Sequence, residues 1–257
     1  MWRWLHPYAK PEVVYHLLGR WLPWVTLGAV ATLSIGLIWG LVFAPADYQQ
    51  GDSYRIIFVH VPTAMLSMSL YLALAIAAFI GRVWQLKMAD WALAAIAPVG
   101  MVYTFISLFT GAVWGKPMWG TWWEWDARLT SQLILLFLYI GVLALYHAFS
   151  DNRTGAKAAG ILAMVGVINI PIIRYSVEWW NSLHQGATLT VFERPPMADS
   201  MLYPLLICLL AFALLAAALV MQRMRNEILR QELRRPWVKA QFAAELTEAN
   251  NGQKGQA

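Results

Sequence analysis

The side chains best suited to chemistry lie in the run Trp119-Gly-Thr-Trp-Trp-Glu-Trp-Asp-Ala-Arg-Leu-Thr130. Five of the fifteen Trp fall between Trp114 and Trp125, mixed with Lys116, Glu124, Asp126 and Arg128. Trp favours a membrane–water boundary, where its apolar ring and its single N–H donor are both accommodated. A cluster this dense makes a flat aromatic platform with charges at its edge, a surface that suits a large, flat, amphipathic ligand. The competing reading is an interfacial belt that anchors two helices. Under either reading, Asp126 is expected to accept a hydrogen bond from a nearby indole or loop amide.

The five histidines are His6, His16, His60, His147 and His184. His60 stands just inside an apolar run, in Phe58-Val-His-Val-Pro62, where Pro62 deprives a carbonyl near position 58 of its helical partner. His184 stands in Glu178-Trp-Trp-Asn-Ser-Leu-His-Gln-Gly186, a second Trp-bearing segment. An ionisable group within a span is a functional candidate, although a packed, hydrogen-bonded His is common. Two imidazoles flanking an aromatic platform have the chemistry to ligate the iron of a porphyrin from its two faces. Zinc is the competitor. It needs about four ligands, for which Asp47, Asp52 and Glu178 are available without a clear spacing.

The elements that must position these residues are membrane helices. The chain has 257 residues, 60% hydrophobic and 13% charged, the latter about half the roughly 25% usual in soluble domains. The apolar residues come in long runs separated by short polar loops. An all-α polytopic membrane protein is expected, forming a single membrane domain over residues 1–257 with six spans at about 23–43, 57–80, 91–113, 129–149, 158–177 and 202–221 and a tail at 222–257. Ala44-Pro-Ala46 mimics a signal-peptidase site. The apolar run before it exceeds the ~7–15 residues of a signal core, so a retained helix is expected.

Basic residues set the orientation. Arg3, Lys10, Arg20, Arg82, Lys87, Arg153, Lys157, Arg223, Arg225, Arg230, Arg234, Arg235, Lys239 and Lys254 fall in one set of segments, fourteen of the nineteen Lys and Arg. Only Arg55, Lys116, Arg128, Arg174 and Arg194 fall in the other. The positive-inside rule then puts both termini in the cytoplasm and the Trp-rich loop on the outer side of the membrane, with His60 and His184 on the loop's side. The net charge of +5 is mostly this bias plus a basic helical tail at Gln222–Trp237. It does not indicate nucleic-acid binding, and contact of the tail with membrane lipid is a secondary role. The polar stretch Thr247–Ala257 is expected to be disordered.

Other motifs narrow the chemistry. Cys208 is the only cysteine, so neither an internal disulfide, nor a Cys-x-x-Cys redox pair, nor a covalent c-type haem attachment motif is available. Gly111-Ala-Val-Trp-Gly-Lys116 imitates a phosphate loop but is one residue short, and Pro117 replaces the needed Ser or Thr. Gly36-Leu-Ile-Trp-Gly40 suits close helix packing. Pro117 and Gly120 are expected to break the third helix. Thr121 and Glu124 form a capping-box pattern from which a new helix is expected to start, putting Trp123, Asp126 and Thr130 on one line.

Trp114-Gly-Lys-Pro-Met-Trp-Gly-Thr-Trp-Trp-Glu-Trp-Asp-Ala-Arg-Leu-Thr130 resembles the tryptophan-rich WWD signature of haem-handling membrane proteins. Tyr175-Ser-Val-Glu-Trp-Trp-Asn-Ser-Leu-His-Gln-Gly186 and Ala44-Pro-Ala-Asp-Tyr-Gln-Gln-Gly51 resemble the cytochrome c maturation C family within that superfamily. The resemblance covers roughly Trp21 to Trp237. It implies a bacterial inner-membrane protein that binds haem b and presents it at the periplasmic face for c-type cytochrome biogenesis. The axial iron ligands it implies are His60 and His184. Its signature residues fall on Trp119, Trp122, Trp123, Trp125 and Asp126, with Trp114 beside them, and Arg55, Lys116 or Arg128 would pair with the propionates.

The partners it implies are a periplasmic haem chaperone (CcmE), the ABC transporter subunits CcmA and CcmB, and a small one-span membrane protein (CcmD). The chain would be a haem-handling protein rather than an enzyme, assisting covalent attachment of haem to the chaperone. Ligands and Trp loop are expected to be separable, the first holding iron and the second shaping a docking surface. A small-solute transporter or a b-type electron-transfer protein are the alternatives. The first would need ionisable groups deep in the spans, the second His pairs distributed across them.

Overall fold

The computed structural model describes residues 10–180, 182–184, 195 and 197–243. The outer portions of both termini, including His6 and Thr247–Ala257, and much of the segment around Arg194 lie outside the described residues. The described chain is helical, and six of its helical stretches are long and apolar enough to cross a membrane.

The first stretch is α1 (Pro11–Ile38), extended by a π-helical turn over Trp39–Phe43. It starts twelve residues before the expected Pro23. Pro11 at the first turn supplies a preset φ and has no N–H to orphan, while Pro23 is carried inside the helix, as membrane helices tolerate. A 3-10 turn at Asp52–Ile56 leads into α2 (Ile57–Trp84), which runs straight through Pro62. Next come α3 (Lys87–Trp119) and α4 (Ala127–His147). The fifth stretch is two helices, α5 (Asn152–Gly166) and α6 (Asn169–Trp179), where one span was expected. At the break, Asn169 Nδ2 donates to the Ser131 carbonyl at 2.9 Å. The last helix is α7 (Asp199–Gln231).

Packing follows the small residues. α1 lies along α7, α2 along α3, and α4 beside α5. Gly36 allows the first contact, since a Cβ there would stand 2.8 Å from Cys208 Sγ, while Gly40 lets the π-helical turn approach α2, a Cβ there standing 2.6 Å from the Phe58 ring. Cys208 is therefore a buried packing residue. The main core lies among α2, α3, α4 and α5 around Tyr71, Leu74, Leu93, Leu135 and Tyr139. His16 and His147 belong to the opposite end of the bundle from His60 and His184. His16 packs with Tyr15 and Trp237, and His147 with Tyr146.

Candidate functional site

The loop from Ala44 to Gly51 begins the site. Asp47 Oδ1 accepts the Gln49 and Gln50 amides at 2.9 and 2.8 Å, an Asx turn closed by paired backbone bonds between Asp47 and Gly51. Gly51 takes φ 57°, which favours glycine. The turn delivers Gln50, whose Oε1 accepts the Trp114 indole N–H at 3.0 Å. Trp114 in turn packs edge-on against His60, ring centres 5.6 Å apart. The Ala44–Gly51 motif thus acts on the site through one indole.

His60 is 8% exposed and is held from α3. Its Nδ1 lies 3.0 Å from Thr110 Oγ1. The Thr110 hydroxyl donates to the Ile106 carbonyl at 2.7 Å, so its oxygen is left to accept, and Nδ1 carries the proton. Nε2 keeps its lone pair, the state a metal-ligating imidazole needs. Gly111 lets the ring approach α3, since a Cβ there would stand 3.0 Å from His60 Cε1.

The Trp-rich segment departs from its expected local structure. α3 continues through Pro117 and stops at Gly120, whose φ of 77° suits a helix-terminating glycine. Lys116 Nζ bonds the Gly120 carbonyl at 2.9 Å and so closes the helix end. The expected capping box does not form. Residues 121–126 are not helical, Thr121 bonds its own loop at the Trp123 carbonyl, and α4 begins at Ala127. The cap is Asp126, whose Oδ1 accepts the Leu129 amide at 2.7 Å. An Asp at the N-cap satisfies one of the helix's free N–H groups, so it outcompetes Thr121 five residues earlier. The expected Trp123–Asp126–Thr130 line is therefore absent.

The other Asp126 oxygen accepts a hydrogen bond from Ser182, and Ser182 Oγ accepts the His184 amide at 3.1 Å. One carboxylate thus joins the start of α4 to the backbone of His184. Trp119 also reaches His184, with ring centres 6.2 Å apart. Trp119 and Asp126, expected to shape a docking surface apart from the ligands, thus both contact the His184 region.

These elements enclose a cavity of about 360 Å³, lined among others by His60, His184, Trp114, Trp119, Trp123, Arg128 and Arg174. The His60 and His184 rings stand 6.2 Å apart, centre to centre, at an interplanar angle of 33°. Two imidazoles on opposite sides of one metal, each nitrogen about 2 Å from it, have ring centres about 6 Å apart. Arg128 and Arg174 lie close enough for their charges to interact. Among the described residues neither forms an ion pair. The Trp123 indole N–H, also in this wall, is buried without an acceptor among the described residues. The wall thus offers two cations and a free donor to an anionic ligand edge, and the His pair to a metal.

Not every expected site residue reaches the cavity. Arg55 does not line it: its guanidinium bonds Asp52 at 2.9 Å and the Leu41 and Gly40 carbonyls at 3.0 and 3.3 Å, closing the end of the α1 stretch. That arrangement meets orphan carbonyls at a helix end, a stronger local demand than a distant ligand. Lys116 is spent on Gly120 in the same way. Trp122 and Trp125 are 56% and 75% exposed and do not line the cavity. Among the described residues no three His, Cys, Asp or Glu could hold a metal ion. Of the zinc candidates, Asp47 is tied into its turn and Asp52 to Arg55.

Comparison with known proteins adds an independent line. A family model described as Heme exporter protein C matches residues 4–239. Heme exporter protein C of Haemophilus influenzae is 57% identical over 240 residues, covering 93% of this chain and 98% of that protein. The protein of the same name from Escherichia coli K12 is 58% identical over 238 residues, covering 93% and 96%. That of Bradyrhizobium diazoefficiens is 47% identical over 226 residues, covering 88% and 86%.

Proposed function

The chain belongs to the Heme exporter protein C family, and we propose that it holds haem in this cavity, with His60 and His184 as axial ligands, and presents it to a periplasmic haem chaperone. It is a multi-pass protein of the bacterial inner membrane with a haem-handling role in cytochrome c maturation. The observation that carries the finer reading is the pair of imidazoles 6.2 Å apart in one cavity wall, one of them fixed by Thr110 with Nε2 bare.

Haem is the cargo. Its iron would take one nitrogen from each His, and haem b, held by ligation alone, is the form such a site retains until transfer. Arg128 is the propionate partner that remains in the cavity, and Arg174 joins it. Trp114, Trp119 and Trp123 supply apolar ring surface. Trp122 and Trp125 face outward, where a chaperone would dock. The chain assists covalent attachment to the chaperone by positioning haem. The ABC transporter subunits and the one-span protein are proposed partners on the remaining surfaces. The cavity end is proposed to face the periplasm and both termini the cytoplasm, on the strength of the basic-residue bias.

The alternatives draw less support. A solute transporter would gain from the break between α5 and α6, but the buried polar groups near mid-span are the neutral Ser67, Thr104, Ser107, Gln132 and Asn169. An electron-transfer cytochrome needs haem sites toward both faces, whereas His60 and His184 share one end of the bundle.

The test is an absorption spectrum of the purified protein. A six-coordinate bis-His spectrum is expected, weakened or lost in His60→Ala and in His184→Ala, and gone in the double variant. A haem-free wild type that binds stoichiometric zinc instead would overturn the proposal.

A further inference from the structure

The cavity does not stop at the histidines. It follows α2 from Ile57 past His60, Ala64, Met65, Met68 and Ser69 to Leu72. That is about 22 Å at 1.5 Å per residue, most of the ~30 Å hydrocarbon thickness. The same α2 stretch is among those able to cross a membrane. Met65, Ser69 and Leu72, spaced i, i+4, i+7, line the cavity and are also exposed on the outside of the bundle. Along this stripe the cavity has no outer wall, and it opens sideways where hydrocarbon surrounds the protein. The lip is apolar in effect, because the one hydroxyl on it, Ser69, donates to its own helix at the Met65 carbonyl, 2.9 Å away.

The deep end is closed. Beyond Leu72 on α2, Gln132 on α4 and Ser107 on α3, the bundle is filled by Tyr71, Leu74, Leu93 and Tyr139, all with zero exposure. The two tyrosine rings press on backbone. A Cβ on Gly100 would stand 2.2 Å from the Tyr139 hydroxyl, and one on Gly166 2.1 Å from the Tyr71 hydroxyl. Interiors this tight pass nothing of porphyrin size without unpacking. A planar, largely apolar cargo therefore has an open path from the bilayer and a sealed one through the chain.

We infer that haem reaches the His60–His184 site sideways from the bilayer, through the opening at Met65, Ser69 and Leu72, and not through the core of this chain. The inference rests on the reading of the cavity as a haem site. The polar end, with His184 and the Trp loop, is then left for departure.

The test uses full-length protein from haem-starved cells, reconstituted in phosphatidylethanolamine–phosphatidylglycerol vesicles. Haem is supplied either dissolved in the bilayer, with a tight haem-binding protein outside to trap any aqueous haem, or from the aqueous phase. Appearance of the bis-His spectrum gives the loading rate. Wild type is expected to load from the bilayer with the trap present. Leu72→Trp and Ser69→Trp are expected to slow that loading about tenfold. Ile76→Trp, on the same exposed side of α2 but outside the cavity, should load at the wild-type rate. Loading abolished by the trap, or wild-type rates in both Leu72→Trp and Ser69→Trp, would overturn the lateral route while leaving the haem site intact. No bis-His spectrum under any supply would instead overturn the site.

Discussion

The two ends of the bundle treat charge in opposite ways. At the end bearing His147, buried Glu227 accepts Arg230 at 2.7 and 2.9 Å, Gln231 at 2.7 Å and the Tyr146 hydroxyl at 3.2 Å. Arg82 meets Asp90 at 3.2 Å, and Arg225 lies 4.4 Å from the centre of the Tyr15 ring. At the cavity end, Arg128 and Arg174 form no ion pair among the described residues, although Asp126 acts on Arg128 and Arg174 lies 5.5 Å from the centre of the Tyr175 ring; Trp123 keeps an unused N–H, and His60 Nε2 makes no hydrogen bond among the described residues. Leaving cations and donors unmatched away from water is costly. The first end meets its carboxylates and cations largely within the chain, although the Nε–H groups of Arg82 and Arg225 are buried there without an acceptor among the described residues. The second offers two arginines, an indole N–H and a His pair, which the proposed haem, with its carboxylates and its iron, would match.

The largest expected effect that sharpens this contrast follows from removing the unmatched cations. Arg128→Gln with Arg174→Gln should weaken haem retention by about 1.5–3 kcal/mol per guanidinium, the range for hydrogen bonds to charged groups. Glu227→Gln should cost about 1–3 kcal/mol of stability by disrupting a buried network and leave the haem spectrum unchanged. Haem titration and thermal unfolding of both variants check the pair. Equal haem loss in the two would erase the distinction between the ends.

Next in size is Thr110→Val. A group that hydrogen-bonds the far nitrogen of a metal-bound His typically matters about 10- to 100-fold in affinity, and Val keeps the shape while removing the acceptor for His60 Nδ1. Haem affinity should fall with bis-His ligation retained at saturation. Thr110→Ser should restore it, and restoration failing there would make the residue a packing element only.

How far these features were legible in the sequence depends on their range. The membrane class follows from long apolar runs, and the pairing of His60 with His184 follows from sorting His by the charge of the flanking segments. Both are signals carried along the chain. Thr110, Gly111 and Arg174 act across helices, and no spacing within one segment marks them. Gly111 stood in view only as part of a false phosphate loop. Ser182 lies inside the Tyr175–Gly186 motif, where nothing in the local spacing marks it as a partner of Asp126. The cap at Asp126 was obscured because Thr121 and Glu124 match a stronger-looking pattern, and the start of α1 because an internal Pro23 imitates a first-turn proline.

A smaller effect belongs to Asp126 and Ser182. Asp126→Ala removes an N-cap, worth about 0.5–2 kcal/mol, and also releases Ser182. Ser182→Ala releases His184 without touching the cap. Both should give a mixed spectrum in which part of the haem has lost its His184 ligand, and Asp126→Ala alone should lower the melting temperature. Pure bis-His spectra in both would restore the separation of ligands from loop.

The smallest effect on haem itself is expected at Trp122 and Trp125. They are more than half exposed and outside the cavity. Trp123 is their contrast, lining the cavity with its ring centre 5.4 Å from that of Trp125. Trp122→Phe and Trp125→Phe should change stability by no more than about 0.5 kcal/mol, as surface substitutions do, and leave the haem spectrum unaltered. What they should change is delivery. If the outward rings form the chaperone's docking surface, chaperone-bound haem in cells falls when both are replaced by Ala, with the protein's own haem and abundance held level. Should the chaperone load normally, these two rings are a membrane anchor and docking lies elsewhere. The WWD segment would then divide within itself, Trp119, Trp123 and Asp126 serving the ligand and Trp122 and Trp125 serving the bilayer.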